Sequence, residues 1–263
     1  MKLASCKNTL MSIMWLNSIL LKEFPNVAEK HHQTPEAIRH NYQLNQDHSL
    51  PNHPSHSTCT AGKALGKTYG VAKNAQLVIV QMARISLGEI IAAFGLIEDE
   101  LLIATERRGR SVINMSLGGP TNGKDNRGEE LRDLVATMIN LDVPVIVAAG
   151  NYAPGLRVVD HIPGVWAAPD FPILAIGSTN KNGKLTKWSQ GGEQVFLHAV
   201  GEEISCLDMT GGIKVSRGTS YTAPQVAGEV ASFLSYDPVP FNTDEHQVVK
   251  TLWDYLHSNA GSW

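Results

Sequence analysis

At 263 residues the chain is long enough for one domain with a sizeable core, since a chain of this length buries about three quarters of its unfolded surface. Its 43% apolar and 18% charged residues are an ordinary globular balance, and a formal net charge of −3 without any Lys/Arg cluster interleaved with aromatics argues against nucleic acid as a partner. No apolar run reaches the roughly eighteen residues that a membrane span needs, so no membrane partner is expected either.

Residues 1–55 read as an atypical, loop-rich N-terminal segment. Its apolar stretch from Leu10 to Leu21 is broken by serine and asparagine and has no small-x-small cleavage site, which makes it a poor secretory signal. Six of the ten histidines fall between His31 and His56, and His48, His53 and His56 are closely spaced. No cysteine or acid stands with them in a zinc pattern, so no metal site is expected. The three cysteines, Cys6, Cys59 and Cys206, cannot all pair within the chain; no disulfide framework is expected, and Cys59 reads as a small buried hydrophobe.

Residues 56–263 read as a single domain of alternating elements. Residues 76–82 hold Leu-Val-Ile-Val, a continuous apolar run of buried parallel-strand type. A helix over 89–108 places Phe94, Ile97, Leu101 and Ala104 on one face, with Gly109 just past its end. A strand at 112–115 follows, then a helix at 129–141 with Leu131, Leu134, Val135 and Met138 at helical spacing, then a strand at 143–148. Short strands are expected at 173–177, 195–199 and 204–206. Helices follow over 220–234, with Ala223, Val226, Ala227, Val230 and Phe233 facing inward, and over 248–256. The alternation implies an α/β fold: a mostly parallel sheet with helices on both faces in three layers, and active residues at the strands' carboxyl ends.

Four segments carry chemistry. Residues 218–228, Gly-Thr-Ser-Tyr-Thr-Ala-Pro-Gln-Val-Ala-Gly, set the Ser220 hydroxyl at the mouth of a small-residue helix. Backbone N–H groups and the positive end of the helix dipole there stabilise developing negative charge, as acyl transfer requires. An ordinary helix cap is the bland reading of the same residues. Ser55-His56-Ser57-Thr58-Cys59-Thr60-Ala61-Gly62 offers His56 as a general base at the start of a tightly packed helix. Residues 112–119 end in a glycine-containing edge able to pair with an extended peptide. Residues 143–151 form a buried strand that finishes on Asn151, whose carboxamide can donate to an oxyanion.

Taken together and in this order, the four segments resemble the subtilisin-like serine proteases (subtilases), most like their fungal members. Lys67-Thr68-Tyr69-Gly70-Val71-Ala72-Lys73-Asn74-Ala75 resembles the family's Gly-Val-Ala-x-x-Ala segment, and the likeness covers roughly residues 50–257. It implies that Ser220 is the nucleophile, His56 the catalytic histidine and Asn151 the oxyanion-hole asparagine. It also implies that Ser116, Leu117 and Gly118, with Ala148, Ala149 and Gly150, hold the substrate backbone and wall the pocket for the side chain before the scissile bond. Further implications are a protein or peptide substrate, a monomer, secretion from the cell, no required cofactor and structural calcium with unknown ligands.

The departures from the family pattern are specific. Ser57 stands where glycine is usual and Cys59 where a second histidine is common. The aspartate that ends an early strand in the family, followed by Thr-Gly or Ser-Gly, has no counterpart. The acids before His56 are Glu23, Glu29, Glu36 and Asp47; of these Glu23 and Asp47 are the two candidates, and neither sits in such a motif. The strand that should carry the acid is therefore expected to be lost or replaced, in a chain whose front part has been truncated or mis-spliced. The expected activity is peptide hydrolysis through an acyl-enzyme, impaired by the missing acid. The alternative is a catalytically silent fold of this family that binds a peptide or a partner protein. An esterase is disfavoured, because no Gly-x-Ser-x-Gly elbow surrounds Ser220.

Overall fold

The computed structural model describes residues 2–3, 10–16, 53–82, 85–120, 126–152, 158–208 and 211–259. In chain order these form β1 (Lys2–Leu3), β2 (Leu10–Leu16), α1 (His53–Leu65), β3 (Gln76–Met82), α2 (Leu87–Ile103), β4 (Ser111–Met115), β5 (Gly119–Pro120), α3 (Arg127–Asn140) and β6 (Val145–Ala148). There follow β7 (His161–Ile162), β8 (Leu174–Thr179), β9 (Val195–Val200), β10 (Ile204–Leu207), β11 (Ile213–Ser216), α4 (Ala223–Phe233), β12 (Tyr236–Asp237) and α5 (Val248–Ser258). No helix among the described residues is long and apolar enough to cross a membrane.

Six strands make one sheet in the order β3-β2-β4-β6-β8-β9, every neighbouring pair parallel. Successive side chains of a strand point to opposite faces, and the central strands bury both. Val112, Ile146, Ala148, Leu174 and Ile176 join one core with residues of α1, α4 and α5. Ile113, Met115, Val145, Val147 and Ala175 join the other with residues of α2 and α3. The fold is thus the three-layer α/β arrangement that the alternation implies.

Most element boundaries fall within a few residues of the sequence reading. The helix expected over 89–108 stops at Ile103 and continues as a 3-10 turn, Thr105–Arg107. Phe94, Ile97, Leu101, Leu131, Val135 and Met138 are buried as the periodicity implies, while Ala104 and Leu134 are only partly so. The helix expected from residue 220 begins at Ala223, and Ser220 lies in the preceding 3-10 turn, Thr219–Tyr221.

Two expectations are corrected. The stretch at 10–16, read within a loop-rich segment as a poor signal sequence, forms β2 inside the main sheet. It pairs with β3 from Leu10↔Gln76 to Leu16↔Met82 and with β4 from Leu10↔Ser111 to Ile13↔Asn114. A short run of apolar residues looks alike in a signal sequence, a helix or a buried strand, and pairing with β3 and β4 decides it. The sequence of this strand, Leu-Met-Ser-Ile-Met-Trp-Leu, contains no acid. Second, Cys59 is not a free thiol: it forms a disulfide with Cys206, tying α1 to the β10–β11 hairpin across 147 residues of chain.

Helices α1 and α4 pack closely in the same core. Gly228 of α4 faces the end of α1, where a Cβ would lie 2.5 Å from the Ala64 carbonyl oxygen and 2.9 Å from Val71 Cβ. Only glycine lets the two helices approach this closely.

Candidate active site

Ser220 occupies the middle of the 3-10 turn that leads into α4, with Pro224 in the first turn of that helix, where a missing N–H costs little. Its hydroxyl donates to the backbone carbonyl of Ser116 at 3.4 Å. This bond links the serine to the first residue after β4, 104 positions earlier in the chain.

Asn151 follows β6 and is exposed, yet its carboxamide is fixed. Its Oδ1 accepts from the Thr219 N–H at 2.8 Å and from the Thr219 hydroxyl at 2.9 Å. The same hydroxyl accepts from the Gly150 N–H at 3.1 Å, so it both donates and accepts. Because both bonds to Asn151 need an acceptor, they identify that atom as the oxygen and leave Nδ2, a donor only, at the other end. That nitrogen lies 3.5 Å from where a Cβ on Gly218 would stand. A fixed N–H donor beside the serine turn is what a developing oxyanion needs.

His56 lies half-buried in the first turn of α1. Its ring packs on that of Tyr221, the residue after Ser220, with centroids 5.4 Å apart and planes tilted by 52°. Tyr221 also belongs to a buried cluster with Ile204 and the two bonded cysteines. Burial pushes its phenol pKa upward, partly offset by a hydrogen bond with Ser216. The Cys59–Cys206 bond therefore braces, from beneath, the tyrosine that supports the histidine.

The proposed substrate walls flank this turn. Ser116 is buried and Leu117 and Gly118 are partly exposed after β4; Ala148, Ala149 and Gly150 are buried at the end of β6. The two segments leave the carboxyl ends of adjacent parallel strands, where an open α/β sheet binds its ligands. Glu23 and Asp47, the candidate acids, lie outside the described residues, as do Cys6 and residues 153–157 of the loop after Asn151. Among the described residues no group of three His, Cys, Asp or Glu side chains is placed to hold a metal ion.

Residues 15–255 match the model of the subtilase family. The chain belongs to that family. Proteinase T of Parengyodontium album is 30% identical over 207 residues, covering 77% of this chain and 66% of that protein. Subtilisin-like serine protease Pen ch 13 of Penicillium rubens is 32% identical over 191 residues, 70% of this chain and 44% of that protein. The chain spans less than two thirds of the length of both. Among solved structures, a cold adapted subtilisin-like serine proteinase superposes with a TM-score of 0.71 at 23% identity, covering 97% of this chain and 83% of that one. At that identity the likeness supports the fold alone.

Sequence reasoning missed two supporting residues of this candidate site. Thr219 was legible only as part of the serine motif, although a threonine before Ser220 is a ready partner for a carboxamide. Tyr221 carried no signal for contact with His56, since that contact depends on how α1 meets the serine turn.

Proposed function

We propose that the chain is a subtilase-type serine endopeptidase that hydrolyses peptide bonds through an acyl-enzyme. Ser220 attacks the scissile carbonyl, and His56 takes the hydroxyl proton and passes it to the leaving amine. The Asn151 Nδ2 and the Ser220 N–H hold the oxyanion. The substrate backbone runs between residues 116–118 and 148–150, and secretion follows the family resemblance. The observation that supports this reading is the pair of hydrogen bonds that Thr219 donates to Asn151 Oδ1, which leaves the amide donor beside Gly218 at the start of the serine turn.

A second reading, a catalytically silent peptide-binding member, is favoured by the absence of an acid in β2. In subtilisin itself, losing the triad aspartate lowers kcat by about 3 × 10⁴, roughly 6 kcal/mol of barrier, while losing the serine or histidine costs as much as losing all three. A serine and histidine without the acid thus retain a small share of catalysis, which makes slow hydrolysis the expected behaviour.

Treatment with a fluorophosphonate, followed by peptide mass spectrometry, separates the two readings. An adduct on Ser220 that is absent from the Ser220→Ala variant supports the enzyme. A folded chain that never labels supports the silent form.

A further inference from the structure

We propose that His161 sets the side-chain specificity of the cleft by filling the floor of the pocket between its two walls. The proposal rests on the reading above that residues 116–118 and 148–150 form those walls.

His161 belongs to β7, which pairs antiparallel with β5 immediately after Gly118, in the register Gly119↔Ile162 and Pro120↔His161. This pairing brings the residue beneath the first wall, and its ring reaches across to the second. The ring edge at Cδ2 occupies the space that a Cβ on Gly118 would need. The next ring carbon around Nε2, Cε1, lies 2.7 Å from where a Cβ on Gly150 would stand. Between those carbons, Nε2 donates to the Ala148 carbonyl oxygen at 3.2 Å. The tip of the imidazole is therefore wedged among Gly118, Ala148 and Gly150, touching both walls at once.

The ring is held there. Its residue is only 8% exposed. Asp160 Oδ1 lies 3.6 Å from Nδ1 and accepts a hydrogen bond from Gln190 Nε2 at 2.8 Å. Nδ1 itself is buried without a hydrogen-bond partner. A ring that donates from Nε2 to a wall carbonyl cannot swing aside without breaking that bond and leaving the carbonyl unsatisfied. A large side chain entering between the walls meets this ring, whereas methyl or hydroxymethyl groups stop short of it. The expected preference is for Ala or Ser over Phe or Leu before the scissile bond.

The test measures peptide binding by calorimetry on the full chain carrying Ser220→Ala, so that no turnover is needed. The probes are acetyl-Ala-Ala-Pro-Ala-amide and acetyl-Ala-Ala-Pro-Phe-amide. The single variant should bind the alanine peptide about tenfold more tightly or better, the scale on which pockets discriminate side-chain size. Adding His161→Gly, or His161→Ser should the glycine variant not fold, should reverse the order. Equal affinities for the two peptides in the single variant, no binding of either, or an unchanged ratio in a folded double variant would each overturn the proposal. Hydrolysis is measured separately on the chain with Ser220 intact. A reversed binding order without hydrolysis leaves the pocket assignment standing and removes the enzymatic reading.

Discussion

Both donors of Thr219, its backbone N–H and its hydroxyl, converge on the single oxygen Oδ1 of Asn151 at 2.8 and 2.9 Å. An amide held by its oxygen at two points cannot flip, so its N–H₂ end stays directed away from Thr219. Replacing Asn151 by leucine should lower kcat by about 10² to 10³ while leaving KM nearly unchanged. Thr219→Val removes one of the two bonds and should lower kcat by less. Steady-state kinetics on a peptide substrate reads both, and a loss confined to KM would place Asn151 in binding alone.

The bond between Cys59 and Cys206 closes a loop of 147 residues and packs against Tyr221. Replacing both cysteines by serine should cost about 2 to 5 kcal/mol of stability. Denaturant titration with and without dithiothreitol checks this: the parent chain should lose a similar amount in reductant, and the double variant should be indifferent to it.

Asp142 caps a helix from outside it. Its two carboxylate oxygens accept from the N–H groups of His246, at 2.7 Å, and Val248, at 3.0 Å, where α5 begins. Its own backbone adopts φ 60°, a left-handed conformation that aspartate and asparagine tolerate better than alanine. Asp142→Ala should cost about 1 to 3 kcal/mol, and Asp142→Asn should cost less, because it keeps one acceptor and the tolerant backbone. Thermal melts of the two variants give the order, and equal losses would show that the acceptor asparagine retains and the backbone preference contribute nothing.

Glu229 of α4 is half-buried, and desolvation raises its pKa above the ordinary carboxylate value. The folded state thus holds its proton more tightly than the unfolded state does. The burial penalty is fully present above the raised pKa and disappears as pH falls through it toward the ordinary carboxylate range. Glu229→Gln should therefore be more stable than the parent at pH 7, with the gap closing on acidification. A difference independent of pH would remove the charge as its cause.

The parallel sheet was legible wherever an apolar run and a helical period alternated, as from Gln76 to Ala148, because burial on both faces leaves a direct trace in composition. The meeting of the Ser220 turn with Asn151, Ser116 and Gly150 was legible because small residues and glycines mark each of those segments. Leu10–Leu16 was not, since a short, mostly apolar run looks alike in a strand or a signal sequence until partners are known. Cys59 and Cys206 were not, since an odd cysteine count and a separation of 147 residues give no hint of proximity. His161 was overlooked for the same reason: its place between the walls comes from pairing with β5, a contact no local pattern encodes.

The position of β2 between β3 and β4 governs how the protein tolerates shortening at its front. Adjacent strands lie about 4.8 Å apart, so excising β2 would leave β3 and β4 roughly 10 Å from each other, too far for their backbones to bond. Loss of Leu10–Leu16 would split the sheet internally instead of trimming its border, whereas removal of residues before Leu10 leaves the ladder whole. Any maturation that removes the amino terminus and preserves the protein must therefore stop short of residue 10.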